Sequence, residues 1–164
     1  MPPRYLHVDC FLEPGELIAS ATPLAVKTIL GSCIAVCLWD PVAKTGGMNH
    51  YLLPHPYHPQ DSGNRYGVMA IPALLREIVR LGGVPRRLRA SVIGGGCPMS
   101  ALQTALVGQQ NRDLAFQTLE RLQIRIVRED TGGQHGRKLL FDTGSGRIIV
   151  RRIRGMHERP MPKE

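Results

Sequence analysis

The sequence is short of aromatic bulk and of cysteine, and it has no long apolar run. Only three phenylalanines and one tryptophan occur in 164 residues, so a core has to be built from Leu, Ile, Val and Ala. Four cysteines at irregular spacing (Cys10, Cys33, Cys37 and Cys97) argue against a secreted disulfide framework. No stretch approaches the roughly 18 consecutive apolar residues of a membrane-spanning helix, so no membrane insertion is expected. The opening residues lack a basic segment leading into an apolar one, so no signal peptide is expected either. Internal repeats and low-complexity tracts are also missing. These absences predict one cytoplasmic domain over residues 1–164, which at this length buries about two-thirds of its unfolded surface without disulfide or metal staples.

Acidic charge is in the minority, and the formal net charge is +8. The positives gather at Arg76, Arg80, Arg86, Arg87 and Arg89, and again at Arg147, Arg151, Arg152 and Arg154. Such patches attract polyanions and steer acidic protein partners. Aromatics do not interleave with the basic residues, so a nucleic-acid partner is not expected. A solvated basic face is the plainer account.

Prolines break residues 1–23 into an irregular segment. Residues 34–40 (IAVCLWD) form a short apolar run ending at Asp40-Pro41, the pattern of a buried strand and a turn. A glycine turn at 44–47 and a returning strand at 48–53 complete an expected hairpin. Residues 54–65 read as a polar, proline-rich loop. Ile71, Leu74, Leu75 and Ile78 share one helix face, predicting a helix over 70–81 with Pro72 tolerated in its first turn and Gly82-Gly83 as its stop. A strand at 89–93 enters Gly94-Gly95-Gly96, and a second helix is expected over 111–122. Strands follow at 124–129, 138–142 and 147–153, the last two joined by a hairpin at 143–146. Residues 155–164 are expected to fray. The fold class is α+β, with a mostly antiparallel sheet.

Chemistry concentrates at Gly31-Ser32-Cys33, where two small residues precede a cysteine at a loop-to-strand junction. Glycine admits a tight turn and close substrate approach, and successive backbone N–H groups there can face a developing oxyanion. A lone strand cysteine is more often a small buried hydrophobe, and Cys37 is read that way. His50 lies seventeen residues on, flanked by apolar strand residues. Opposite positions of a strand pair stand about 4.5–5.5 Å apart at Cβ, close enough for imidazole to take a thiol proton. Thr28 and Asn49 are both candidates for a third group that orients the imidazole. Cys33 and Cys37 would lie about 13 Å apart on one strand face, too far to share a zinc ion. Gly94-Gly95-Gly96-Cys97 lacks the lysine and spacing of a P-loop, so neither metal nor cofactor is expected. Gly132-Gly133 with Gly136 reads as a strand connection.

The segments Leu30-Gly31-Ser32-Cys33 through Pro41, and Gly46-Gly47-Met48-Asn49-His50 through Pro54, together resemble the chemoreceptor glutamine deamidase family, CheD. The likeness runs on through Arg65-Tyr66-Gly67, residues 92–96, Gly108-Gln109-Gln110-Asn111, Asp130-Thr131-Gly132-Gly133 and Gly136-Arg137-Lys138. It implies a cysteine-hydrolase fold of layered β-structure with flanking helices, similar to glutamine-deamidating toxins, with Cys33 as nucleophile, His50 as base and Thr28 as third member. It further implies hydrolysis of glutamine side chains on the cytoplasmic helices of methyl-accepting chemotaxis receptors, and a CheC-type phosphatase as a regulatory partner. From the residues alone, the competing expectation is a non-catalytic basic module that docks on a receptor or nucleic acid.

Overall fold

A computed structural model describes residues 7–99 and 101–153. The strands are β1 (Cys10–Phe11), β2 (Leu17–Ser20), β3 (Ala25–Leu30), β4 (Ile34–Asp40) and β5 (Thr45–Asn49), followed by helix α1 (Gly67–Arg80). Then come β6 (Arg89–Gly94), helix α2 (Leu102–Arg121), β7 (Arg125–Thr131), β8 (Gly136–Asp142) and β9 (Ile148–Ile153). They form a four-stranded sheet ordered β1-β3-β8-β9 and a five-stranded sheet ordered β2-β5-β4-β6-β7. Pairing is antiparallel except at β1–β3 and β6–β7. The α+β expectation is met.

Three layers follow from the side-chain alternation of β4. Ile34, Val36 and Leu38 face α1 and α2, packing with Ala70, Ile71, Leu74, Ala115 and Leu119. Ala35 and Cys37 face the other sheet, packing with Val26, Leu30, Met48, Leu139 and Phe141. A strand buried on both faces reads as an unbroken apolar run, which is why 34–40 shows no period of two. Cys37 is a packing group here, and burial pushes its thiol pKa far up, only partly opposed by the charge of Arg128.

Several expected boundaries are corrected. Residues 1–23 are not irregular throughout, since β1 pairs with β3 and β2 with β5 despite the prolines. The turn after β4 occupies 41–44, with Lys44 at φ 55°, and Gly46 and Gly47 belong to β5. A Cβ on Gly47 would stand 2.6 Å from the Ile18 carbonyl oxygen, so close packing, not turning, demands glycine there. Helix α1 begins at Gly67, which puts Pro72 in its second turn rather than its first. Helix α2 begins nine residues before its expected start, because Leu102 and Leu106 are exposed and give no amphipathic signal. The three late strands lie within two residues of expectation. The fray expected over 155–164 lies outside the described residues.

Asp40 pins the end of β4. It is fully buried, and its Oδ1 accepts from the Val42 and Ala43 N–H groups while Oδ2 accepts from Val84 N–H and the Arg87 guanidinium. Burial alone would raise its pKa, but Arg87 and these three N–H donors outweigh it and hold the carboxyl at about 2. Asp40→Ala strands the partly buried guanidinium and three donors, and should cost about 3 kcal/mol of stability in urea unfolding. Arg87 is therefore structural, while Arg76 and Arg86 remain exposed.

Candidate active site

The turn between β3 and β4 is held by all three of its carbonyls. Gly31 O accepts from Gly96 N–H at 2.9 Å, and Cys33 O accepts from Gly95 N–H at 2.8 Å. Ser32 O accepts from Asn111 Nδ2 at 3.0 Å. The glycine run at 94–96 exists for this contact: Gly94 sits at φ 116°, and any Cβ there would run into Cys33 O. Among the described residues, the Ser32 and Cys33 N–H groups donate to no backbone carbonyl. Cys33 is partly exposed at this junction.

His50 follows β5 directly. Its backbone is fixed by the turn before β2, with Gly15 N–H donating to His50 O at 2.8 Å and His50 N–H donating to Glu16 O at 3.2 Å. Beyond it, Ile34 and Tyr51 exchange both backbone hydrogen bonds. That pairing sets Ala35, not Cys33, opposite His50. The expectation of directly opposed positions is thus corrected to a diagonal one, two residues along the same inter-sheet face. Diagonal neighbours lie about 7–8 Å apart between backbones and remain within reach of long side chains.

The hydrogen bonds around His50 fix its tautomer. Thr28 Oγ1 lies 2.7 Å from His50 Nδ1 and 2.8 Å from the Leu12 carbonyl oxygen. A carbonyl only accepts, so the single hydroxyl proton of Thr28 goes to Leu12 O. Oγ1 then accepts from Nδ1–H, and the lone pair of the neutral ring sits on Nε2. Nε2 is buried and has no hydrogen-bond partner, Cys33 Sγ included, among the described residues. Asn49 is excluded as the orienting group, because its Oδ1 accepts from Val36 N–H at 2.9 Å instead.

Burial favours the neutral form of both His50 and Cys33. Burial lowers the His50 pKa to about 4. Burial likewise pushes the Cys33 thiol up to about 11, with its own backbone N–H partly opposing. A depressed imidazole pKa means the unfolded chain binds the proton more readily, so stability is full above pH 6.5 and drains as pH falls toward 4. The gap corresponds to about 3 kcal/mol. Urea unfolding at pH 7.5 and pH 4.5 should show this loss in the native protein and a smaller one in His50→Gln.

Two supporting residues gave only a weak signal in the sequence. Asn111 is fully buried on α2, donating from Nδ2 to Ser32 O and to Leu52 O at 2.8 Å, while its own carbonyl accepts from Tyr51 Oη at 2.6 Å. It clamps the cysteine turn to the chain just past His50. Its signal was a polar residue on the apolar stripe of Leu114, Ala115 and Leu119. Arg137, only 2% exposed, donates to Asp130, to Gly132 O and to Gly94 O, tying the glycine run to the β7–β8 connection.

The family described as CheD chemotactic sensory transduction matches residues 52–152. A probable chemoreceptor glutamine deamidase CheD 1 of Anaeromyxobacter dehalogenans is 41% identical over 90% of this chain and 86% of its own length. A probable chemoreceptor glutamine deamidase CheD of Burkholderia orbicola is 38% identical over 87% of this chain and 60% of its own length. Among solved structures, the hypothetical protein YfiH of Bacillus licheniformis superposes with TM-score 0.48 at 16% identity, covering 72% of this chain and 51% of that one. With a family match over more than half of its residues and a relative alike over nearly all of them, this chain belongs to the CheD family.

Proposed function

We propose that the chain hydrolyses glutamine side chains of chemoreceptors to glutamate, with Cys33 as nucleophile, His50 as base and acid, and Thr28 as the group that orients His50. The observation that carries this reading is the hydrogen-bond logic at His50, which leaves an unpartnered Nε2 lone pair on the face shared with Cys33. The names of the related proteins supply the substrate class.

In this mechanism His50 Nε2 takes the Cys33 proton as sulfur attacks the carboxamide carbon of a bound glutamine. The proton transfer accompanies attack, because neither group is ionised beforehand. The developing oxyanion is received by the backbone N–H groups of Ser32 and Cys33, which donate to no backbone carbonyl among the described residues. The imidazolium then gives its proton to the departing nitrogen, releasing ammonia and leaving a thioester. Water, deprotonated by Nε2, attacks that thioester, and glutamate leaves as the Cys33 thiol is restored. Nδ1–H stays on Thr28 Oγ1 throughout, so the ring does not turn when Nε2 is charged.

The partners in this reading are cytoplasmic receptor helices, with a CheC-type phosphatase as regulator, and the reaction is cytoplasmic. Acidic receptor surfaces would be drawn to the exposed Arg76 and Arg86. Incubating the protein with a glutamine-bearing receptor fragment, with and without a primary amine, tests the reading by mass spectrometry. Amide-to-acid conversion is expected at specific glutamines. Amine incorporation, chain cleavage or an unchanged mass would each refute it.

Asn111→Ala should lower kcat about 10²-fold with KM little changed, since loss of the clamp lets the cysteine turn drift from His50 without touching substrate. Steady-state kinetics on the same fragment measure the split.

A further inference from the structure

A second cleft opens between the two sheets, about 13 Å or more along β4 from the cysteine turn. It has a volume of about 320 Å³, near the low end of the roughly 300–1,000 Å³ typical of small-ligand sites. Arg89, Arg125, Ser91 and Trp39 line it, with Cys37 and Phe141 below. Among the described residues no carboxylate does.

The register of the sheet makes this arrangement costly when empty. Arg89 and Arg125 are direct partners across the parallel β6–β7 pair, and both side chains turn into the cleft. Like charges set directly side by side are destabilising, by up to about 1 kcal/mol. Among the described residues neither guanidinium forms an ion pair, although five other arginines do. Arg89 lies 6.0 Å from the Trp39 ring centroid and Lys44 Nζ lies 5.5 Å from it, which adds a third cation. The indole cannot swing away, because its N–H donates to Gly144 O at 3.1 Å and its ring lies against Gly146. Ser91, two residues along the same face of β6, makes no side-chain hydrogen bond among the described residues.

We propose that this cleft is a non-catalytic binding site for a compact phosphate or phosphate monoester, clamped by Arg89 and Arg125 with Ser91 as a further donor. A carboxylate is matched by a single guanidinium, whose paired N–H groups serve its two oxygens. Two guanidinium groups and a hydroxyl converging on one space match a tetrahedral group with three terminal oxygens. Binding neutralises the Arg89–Arg125 repulsion, so it stabilises the junction of β6 and β7.

Thermal unfolding and calorimetry with inorganic phosphate, glycerol 3-phosphate and glutarate, at ionic strength held constant with chloride, test this. The first two should raise Tm saturably and shift the Trp39 indole N–H resonance, and whichever binds tighter identifies free phosphate or an ester as the natural source. Arg89→Gln and Arg125→Gln should each abolish the response and raise Tm of the phosphate-free protein at low salt. Deamidation should be unaffected in both variants. A response equal for glutarate, a response that survives in the double variant, or no saturable response to either phosphate would overturn the proposal.

Discussion

Cys33→Ala should remove glutamine hydrolysis almost entirely, by roughly 10⁴-fold or more. The size follows from the chemistry. Without sulfur no thioester forms, and only direct attack by water on the carboxamide remains. The turn itself should survive, since its three carbonyl contacts come from Gly95, Gly96 and Asn111 and use no side-chain atom of Cys33. Binding of the receptor fragment should therefore persist, and far-ultraviolet circular dichroism should be unchanged. Cys33→Ser should be nearly as inactive, because a hydroxyl is harder to deprotonate than a thiol. Hydrolysis persisting near the native rate in Cys33→Ala would move the nucleophile elsewhere.

His50→Ala should cost roughly 10³–10⁴-fold in kcat, since the same nitrogen serves as base in attack and acid in departure. Thr28 separates proton placement from mere packing. Thr28→Val keeps the shape but gives Nδ1–H no acceptor and leaves Leu12 O unpaired, so the ring can take the other tautomer, which puts a proton where the thiol proton must go. Thr28→Ser restores the acceptor and should recover most of the rate. A structural role alone would give Thr28→Val and Thr28→Ser similar stability losses without that kinetic rescue. The pH profile is a second readout. With His50 titrating at about 4, kcat/KM should hold through mildly acidic pH and fall as pH drops toward 4. A limb near 6.5, the ordinary value, would mean that the imidazole is more solvated than its burial implies.

The proposed site residues Cys33 and His50 could be named from the sequence, because small residues before a cysteine and a histidine within apolar neighbours are local patterns. The strand register that sets them two residues apart on one inter-sheet face was not legible. Thr28 and Asn49 looked equivalent from spacing, and only the position of Leu12 O and of Val36 N–H separates them. The antiparallel hairpin was foreseen, yet its register was shifted by the glycines. Gly46 and Gly47 look like turn residues but serve as strand residues, because Thr143 and Ile18 crowd them. The first half of α2 was missed since its exposed leucines break the helical period, and Asn111, at the start of the expected helix, was given no role. Layering was implied by the family resemblance, but which strand joins which sheet could not be read, as each strand reports its own burial but not its neighbours.

Long-range proton–nitrogen NMR of the His50 ring near pH 7 tests the central claim most directly. We expect a neutral imidazole protonated at Nδ1, with Nε2 carrying the lone pair, in the free protein and in Cys33→Ala alike. A proton on Nε2, or a charged ring at that pH, would contradict the account, because the thiol would then face a nitrogen unable to accept its proton.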